Sequence, residues 1–368
     1  MIRTIKWGAP ALLLALGVAG LFSCQRRMAV EAPQGTQNVI LLIGDGMGLA
    51  QLSTSFYFGD TPSNFPRFTH IGLHQNYAVG AKITDSAAGA TAFATGYKTY
   101  NEAIGVDGDT LPRETILEWA AAQGKATGVI ATSSITDATP ASFYAHVPFR
   151  RFNDAIAAQL ADAPVDFFAG GGLQHFVRRA DGLNYLDTLR ARGFAVDTSA
   201  LKPLPGERKG YLLAADGMPR MTEGRGPFLA NAMRMALEQL DANPRGFFLM
   251  VEGSQIDWAG HNNEGQYLVT EMKDFDEAVG LALDFAARDG NTLVVVTADH
   301  ETGGLSLSGA ESFGRRSYEE IMLTFSTGGH SASLIPVFAY GPGAGRFMGI
   351  YQNTAICGKL MMGWHKGE

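Results

Sequence analysis

Short apolar runs that stop abruptly at acidic, hydroxyl or imidazole residues recur along the chain. Val39-Ile40-Leu41-Leu42-Ile43 runs into Gly44-Asp45, and Gly128-Val129-Ile130-Ala131 precedes Asp137 and Thr139. Phe247-Phe248-Leu249-Met250-Val251 meets Glu252, and Leu293-Val294-Val295-Val296 is followed by Asp299-His300. None of these runs has a polar face, which suits central strands of a parallel sheet covered on both sides. Between them, helical periodicity predicts helices over residues 115–123, 153–162, 228–240 and 265–287. Alternating strands and helices predict a doubly wound α/β fold, a mostly parallel central sheet with helices on both faces. Ligands in such sheets bind beyond the carboxyl ends of the strands, where the acidic residues just named would gather.

One stretch hands over from strand-like to helix-like patterning. Residues 77–83 alternate, and Thr84-Asp85-Ser86-Ala87-Ala88-Gly89-Ala90-Thr91 then supplies small residues compatible with a helix. The reading is a strand leading into a helix with a serine at the join. A hydroxyl there sits at the positive helix end, where free N–H groups favour an anion. The plain alternative is that Asp85 or Ser86 only caps the helix. Residues 174–226 are polar, with Pro203, Pro205 and Pro219, and read as surface elaboration or a lid.

Composition narrows the chemistry. With 368 residues, 46% of them hydrophobic and 18% charged, the chain can bury an ample core. A formal net charge of −7 argues against a nucleic acid as the main partner, since no basic excess exists to neutralise its phosphates. Any phosphate chemistry must therefore be local, carried by metals or a few cations.

The start of the chain has its own logic. Arg3 and Lys6 precede an apolar run over residues 9–22, too short for a comfortable membrane span, so residues 1–24 read as a secretory signal. It ends Leu21-Phe22-Ser23-Cys24, which resembles a bacterial lipobox, although Phe22 is bulkier than the usual residue there. Cys24 would be lipidated, giving an exported protein, periplasmic or anchored to the membrane. Residues 25–37, with Pro33 and Gly35, read as a tether, and the folded domain is expected over 38–368. Cys357 then stands alone, so no intrachain disulfide is available.

The candidate chemistry lies in the residues after the apolar runs. Asp257 and His261 are four apart and share one face of a helix or tight turn, as a metal needs, although a surface hydrogen bond has the same spacing. Asp299 and His300 can converge in the turn that Gly303-Gly304 implies. Adding Asp45, Glu252, Thr139 and His330 gives a nitrogen and oxygen set suited to zinc, with an all-oxygen subset suited to magnesium. Such parts solve the hydrolysis of a phosphate monoester, whose dianion repels a nucleophile and whose alkoxide leaves poorly. Two zinc ions about 4 Å apart can activate a serine and hold the leaving oxygen. A guanidinium fork suits the equatorial oxygens; Arg150 is the candidate and Arg151 the competing choice.

At these residues the chain resembles the alkaline phosphatases. The similarity runs in order from Asn38 to about Leu360, through 39–48, 82–106, 134–150, 250–261, 297–304 and 328–341. The resemblance implies that Ser86 is the nucleophile that becomes phosphorylated. It implies Asp257, His261 and His330 as ligands of one zinc, and Asp45, Asp299 and His300 as ligands of a second, where Ser86 also binds. Asp45, Thr139 and Glu252 would bind magnesium, Arg150 would grip the phosphate, and Asp85 would help orient it. Asp137 stands where the family has an aspartate or a histidine, and would hold a magnesium-bound water rather than the metal. Trp258 replaces a lysine or histidine that in some members reaches the phosphate through water, which implies altered phosphate affinity. His70, His74, His146, His175 and His365 are left structural, with His146 expected nearest the site. The stretch from Gly304 to His330 is too short for a large crown-like insertion.

The function expected is hydrolysis of small phosphomonoesters by an exported bacterial enzyme. A phosphodiesterase of the same superfamily is disfavoured because Thr139 and Glu252 are both present. An inert surface-binding lipoprotein is disfavoured because neither Ser86 nor any zinc ligand is lost. Whether the chain forms a homodimer is left open.

Overall fold

The computed structural model describes residues 36–312 and 315–364. The expected signal segment, Cys24, the tether up to residue 35, and His365 lie outside them. The strands are β1 (Asn38–Gly44), β2 (His70–Gln75), β3 (Ala126–Ser134), β4 (Phe167–Gly171), β5 (Phe194–Asp197), β6 (Arg208–Leu212) and β7 (Phe247–Gly253). They continue with β8 (Thr292–Thr297), β9 (Glu301–Thr302), β10 (Leu305–Ser312), β11 (Arg315–Phe325), β12 (His330–Ser331), β13 (Ile335–Tyr340) and β14 (Gly349–Gln352). The helices are α1 (Leu49–Tyr57), α2 (Ser86–Thr95), α3 (Ile116–Ala122), α4 (Ala138–Ala141), α5 (Asn153–Asp162) and α6 (Gln174–Val177). The rest are α7 (Tyr185–Ala191), α8 (Phe228–Leu240), α9 (Gln255–Asn262), α10 (Gly265–Asp289) and α11 (Ala355–Trp364).

The central sheet has ten strands in the order β14-β2-β13-β8-β1-β7-β3-β4-β6-β5. Every neighbouring pair is parallel except those made by β13, which runs antiparallel to β2 and β8. The expected doubly wound, mostly parallel sheet is thus observed. β1 lies at its centre and is buried along its whole length. Val39, Leu41 and Ile43 face one core with Phe93, Ile116, Ile156 and Leu360, whereas Ile40 and Leu42 face the other with Leu229, Met233, Leu268 and Phe275. This two-sided burial, worth about 1.5–3 kcal/mol for each large apolar side chain, explains why the run carries no polar face. Among the described residues, no helix is long and apolar enough to cross a membrane.

Two expectations are corrected here. Residues 77–83 do not form a strand; they make a turn with an isolated Ala78 and Ala81 bridge, and the strand before it ends at Gln75. Local alternation there has no neighbouring strand to pair with. Residues 174–226 are not mere elaboration, since they supply β5 and β6, which extend the sheet edge beside β4 in parallel register. Between Gly304 and His330 the chain folds as a two-stranded antiparallel ribbon of β10 and β11.

Register places the chemistry. Ile43 is level with Glu252 of β7 and with Thr297 of β8. Asp45, Glu252 and Asp299 therefore emerge at one sheet edge. Beside it lies α2, buried along its whole length, with Asp85 as its N-cap. Gly89 lets this helix press close: a Cβ there would lie 2.9 Å from Asp299 Cβ.

Candidate metal centre

Helix α9 presents Asp257 and His261 one turn apart, as their spacing predicts. β9 and β12 pair antiparallel and set His330 opposite Thr302. His261 Nδ1 lies 2.7 Å from the Gly328 carbonyl oxygen, and His330 Nδ1 lies 2.9 Å from that of Thr84. Carbonyls only accept, so both Nδ1 atoms carry the proton and both Nε2 atoms keep a lone pair. Those two Nε2 atoms are 3.1 Å apart, with Asp257 Oδ1 at 3.4 Å from one and 3.7 Å from the other. Two lone pairs facing each other make no hydrogen bond. The spacing does suit a tetrahedral zinc, whose bonds of roughly 2.0–2.1 Å put ligand atoms about 3.3 Å apart.

A second set surrounds His300, which is fully buried. Its Nε2 lies 3.2 Å from Asp299 Oδ2, 3.6 Å from Asp45 Oδ1 and 3.2 Å from Ser86 Oγ. Ser86 opens α2, at the helix end where an anion is favoured. Asp45 Oδ1, Asp299 Oδ2 and Thr139 Oγ1 are all buried without a hydrogen-bond partner. Orphaned oxygens in such numbers are costly unless a cation meets them. Thr139 rides on α4, which packs against β3 and against β7, the strand that carries Glu252. Glu252 Oε2 accepts from Ser254 Oγ at 2.6 Å and from Ser133 Oγ at 3.3 Å.

The electrostatics point the same way. Burial, reinforced by Asp299, Asp257 and Glu252, holds the Asp45 carboxyl well above the usual carboxylate range. Burial likewise raises Asp299, and pushes Glu252 up to about 8. Burial, then the neighbouring His330, keeps the His300 imidazole neutral far below its ordinary range. A cluster of buried carboxyls with neutral imidazoles is a donor set for divalent cations.

Arg150 borders this cluster. Its Nη2 lies 2.9 Å from Asp137 Oδ1 and its Nη1 3.4 Å from Asp85 Oδ2. Asp85 is anchored in turn, accepting from Ala88 N at 3.0 Å and from Glu102 N at 2.8 Å. Asp85 thus caps α2 and meets Arg150 with the same carboxylate. The Arg151 side chain is 76% exposed, with its nearest carboxylate oxygen, from Glu102, at 4.0 Å.

The His146 ring is tied to the Gly105 carbonyl and the Glu118 carboxylate. Burial lowers the His175 pKa, opposed by Asp216, Asp154 and Asp137, and the fully buried His74 has Nε2 3.0 Å from the carbonyl of Ala298, the residue before Asp299. Trp258 stacks its ring edge over Gly217, where a Cβ would come within 2.4 Å. Sequence reasoning missed Asn76, which donates to the Asp299 carbonyl at 2.8 Å, and Thr302, which touches both Asp257 and His300. For Thr302 a signal existed in its place two residues after His300; for Asn76 none did.

Residues 36–322 match the family model described as alkaline phosphatase. Alkaline phosphatase 3 of Bacillus subtilis (strain 168) is 41% identical over 303 residues, covering 76% of this chain and 65% of that protein. The chain thus spans just under two thirds of that relative's length. The alkaline phosphatase of Escherichia coli (strain K12) is 32% identical over 400 residues, covering 87% of this chain and 84% of that protein. The solved structure of the alkaline phosphatase from the Antarctic bacterium TAB5 superposes with a TM-score of 0.89 at 48% identity, covering 90% of this chain and 100% of that one. A histidine-to-aspartate variant of the TAB5 enzyme has been solved with Mg bound in a site termed M3. The sheet, the ordered donor sets at its carboxyl edge and these likenesses agree, and the chain belongs to the alkaline phosphatase family.

Proposed function

We propose that this protein hydrolyses phosphate monoesters through a phosphoserine on Ser86, at a centre of two zinc ions and one magnesium ion. The carrying observation is Ser86 Oγ at the start of α2, 3.2 Å from His300 Nε2 and beside the unpartnered oxygens of Asp45 and Asp299. Asp257, His261 and His330 would hold one zinc, and Asp45, Asp299 and His300 the other. Asp45, Thr139 and Glu252 form the all-oxygen set for magnesium, with Asp137 beside it but not a direct ligand. A TAB5 alkaline phosphatase variant with an introduced aspartate holds Mg in its M3 site, which supports a magnesium site in this fold. When bound, the ions supply Lewis acidity and positive charge.

The chain's own residues do the rest. Arg150 grips the non-bridging oxygens and turns the phosphorus toward Ser86 Oγ, while Asp85 and Asp137 hold the guanidinium plane. Ser86 Oγ forms the new P–O bond as the ester oxygen leaves with the bonding pair, and the proton given up by the serine hydroxyl goes to that leaving oxygen to make the alcohol. Water then displaces Ser86 from phosphorus: its oxygen joins the phosphate, one of its protons restores the serine hydroxyl, and inorganic phosphate is released.

The test combines metal analysis with trapping. Purified protein should carry two zinc and one magnesium per chain, turn over a monoester faster than a diester of the same leaving group, and yield an acid-stable phosphoserine at Ser86. Ser86→Ala should lose the phosphoryl-enzyme and retain the metals. Parent-like turnover by Ser86→Ala would refute the covalent route.

A further inference from the structure

We propose that Thr302 is a positioning residue that sets the ligand atoms of both zinc sites at once. The inference rests on the metal reading above and assigns a role to a residue outside every donor set named there.

Thr302 is fully buried, and each of its groups is committed. Its hydroxyl lies 2.5 Å from Asp257 Oδ1 and 3.1 Å from His300 Nδ1. Asp257 belongs to one proposed zinc set and His300 to the other. A hydroxyl carries one proton and two lone pairs, and an ionised carboxylate can only accept. The proton therefore goes to Asp257, and the oxygen accepts from His300 Nδ1–H. That fixes the imidazole tautomer and leaves the Nε2 lone pair aimed at the space between Ser86 Oγ and Asp299 Oδ2. The same bond turns Asp257 Oδ1 toward His261 and His330.

The backbone keeps the hydroxyl in register. Thr302 N donates to the Gly46 carbonyl at 3.1 Å, and the Thr302 carbonyl accepts from the buried Gln51 amide at 2.7 Å. In the pairing of β9 with β12, Thr302 is opposite His330, so the residue also fixes the strand that carries a third ligand. Gly46 leaves the room: a Cβ there would come within 2.8 Å of both Thr302 Oγ1 and Asp257 Cα. A β-branched side chain held at both ends of its backbone has little freedom at χ1. Valine matches threonine in shape but offers neither the proton nor the lone pair, so it separates the hydroxyl from the packing.

The experiment is a zinc titration of metal-free protein against a chromogenic chelator, on the parent, Thr302→Val and Thr302→Ser. Loss of an outer partner of a ligand typically weakens metal binding by roughly 10- to 100-fold. For Thr302→Val both zinc affinities should fall within that range, because one hydroxyl serves a ligand of each set. Thr302→Ser should stay within about threefold of the parent. At saturating zinc, Thr302→Val should lower kcat while leaving the Ki for inorganic phosphate unchanged, since Arg150 is untouched. Parent-like zinc affinity in Thr302→Val, weakening of a single site, or an equal loss in Thr302→Ser would overturn the proposal. If Thr302→Val does not fold, Thr302→Ala carries the same comparison with serine. A parent that takes up no zinc overturns the metal reading itself, whereas a parent that loads beside an equally tight Thr302→Val overturns only the role of Thr302.

Discussion

Replacing Arg150 with alanine tests the phosphate grip most directly, because the structure separates two adjacent arginines that the sequence leaves equivalent. The Arg150 side chain is 26% exposed and pinned between Asp85 and Asp137; that of Arg151 is 76% exposed. A guanidinium has five N–H donors. Asp85 and Asp137 engage one each, which leaves donors on Nη1, Nη2 and Nε for a phosphate dianion. Hydrogen bonds between charged partners contribute up to about 3 kcal/mol, and a fork on phosphate belongs in the upper part of that range, at about 2–3 kcal/mol. At 1.36 kcal/mol per tenfold, Arg150→Ala should lower kcat/KM by about 30- to 160-fold. It also strips the cation from between Asp85 and Asp137, whose charges then repel the substrate, so the upper half of the range is expected. Arg151→Ala removes a solvated charge and should cost under about threefold. Arg150→Lys keeps the charge and loses the fork, and should fall between. The assay is kcat and KM on a monoester with the Ki of inorganic phosphate, which should weaken in step with KM because product and substrate share the fork. A larger loss at Arg151, or less than a threefold loss at Arg150, would refute the argument.

Other outcomes follow from the same geometry. In chelated protein the carboxyl of Glu252 titrates near 8 instead of its ordinary 4.5, held up mainly by burial. The folded state then keeps a proton that the unfolded chain has released, so stability is full below about 4.5 and is lost as pH rises through about 8. Melting temperature of chelated protein should fall across that window, the metal-loaded protein should show a shallower slope, and equal slopes would contradict the assignment of Glu252 to a cation. Gly89→Ala ordinarily favours a helix, but here the added methyl meets Asp299 Cβ at 2.9 Å and the Asp299 carbonyl at 3.2 Å. Overpacking of this kind costs about 1–3 kcal/mol, so melting temperature and kcat should both drop; a more stable Gly89→Ala would show that α2 can shift freely. If Cys24 carries lipid, the parent should fractionate with membranes and Cys24→Ala should be released, whereas a wholly soluble periplasmic parent would count against lipidation.

Much of the fold is legible in the residues themselves. Runs without a polar face are stable only where both faces are buried, and β1, β3, β7 and β8 form where those runs lie. Helices α5 and α8 keep the bounds that periodicity predicts, and α9 puts Asp257 and His261 one turn apart. The nature of the donors is equally a property of sequence, since carboxylates and imidazoles placed after apolar runs must emerge at the carboxyl edge of a parallel sheet.

Tertiary structure decided the rest. β5 and β6 arise from a polar stretch because strands at a sheet edge can leave part of their surface in water, so no continuous apolar run announces them. The alternation in 77–83 came to nothing because a strand requires a partner strand alongside it, and Ala78 and Ala81 bridge only to each other. Arg150 and Arg151 differ only in which direction each side chain leaves the backbone, and that depends on Asp85 and Asp137 reaching the same point from other elements. Ser86 meets His300 across 214 residues of chain, and Thr302 reaches Asp257 across 45. Periodicity registers neighbours a few positions apart; convergence across such separations is fixed by sheet register and helix packing, which exist only once the chain has folded.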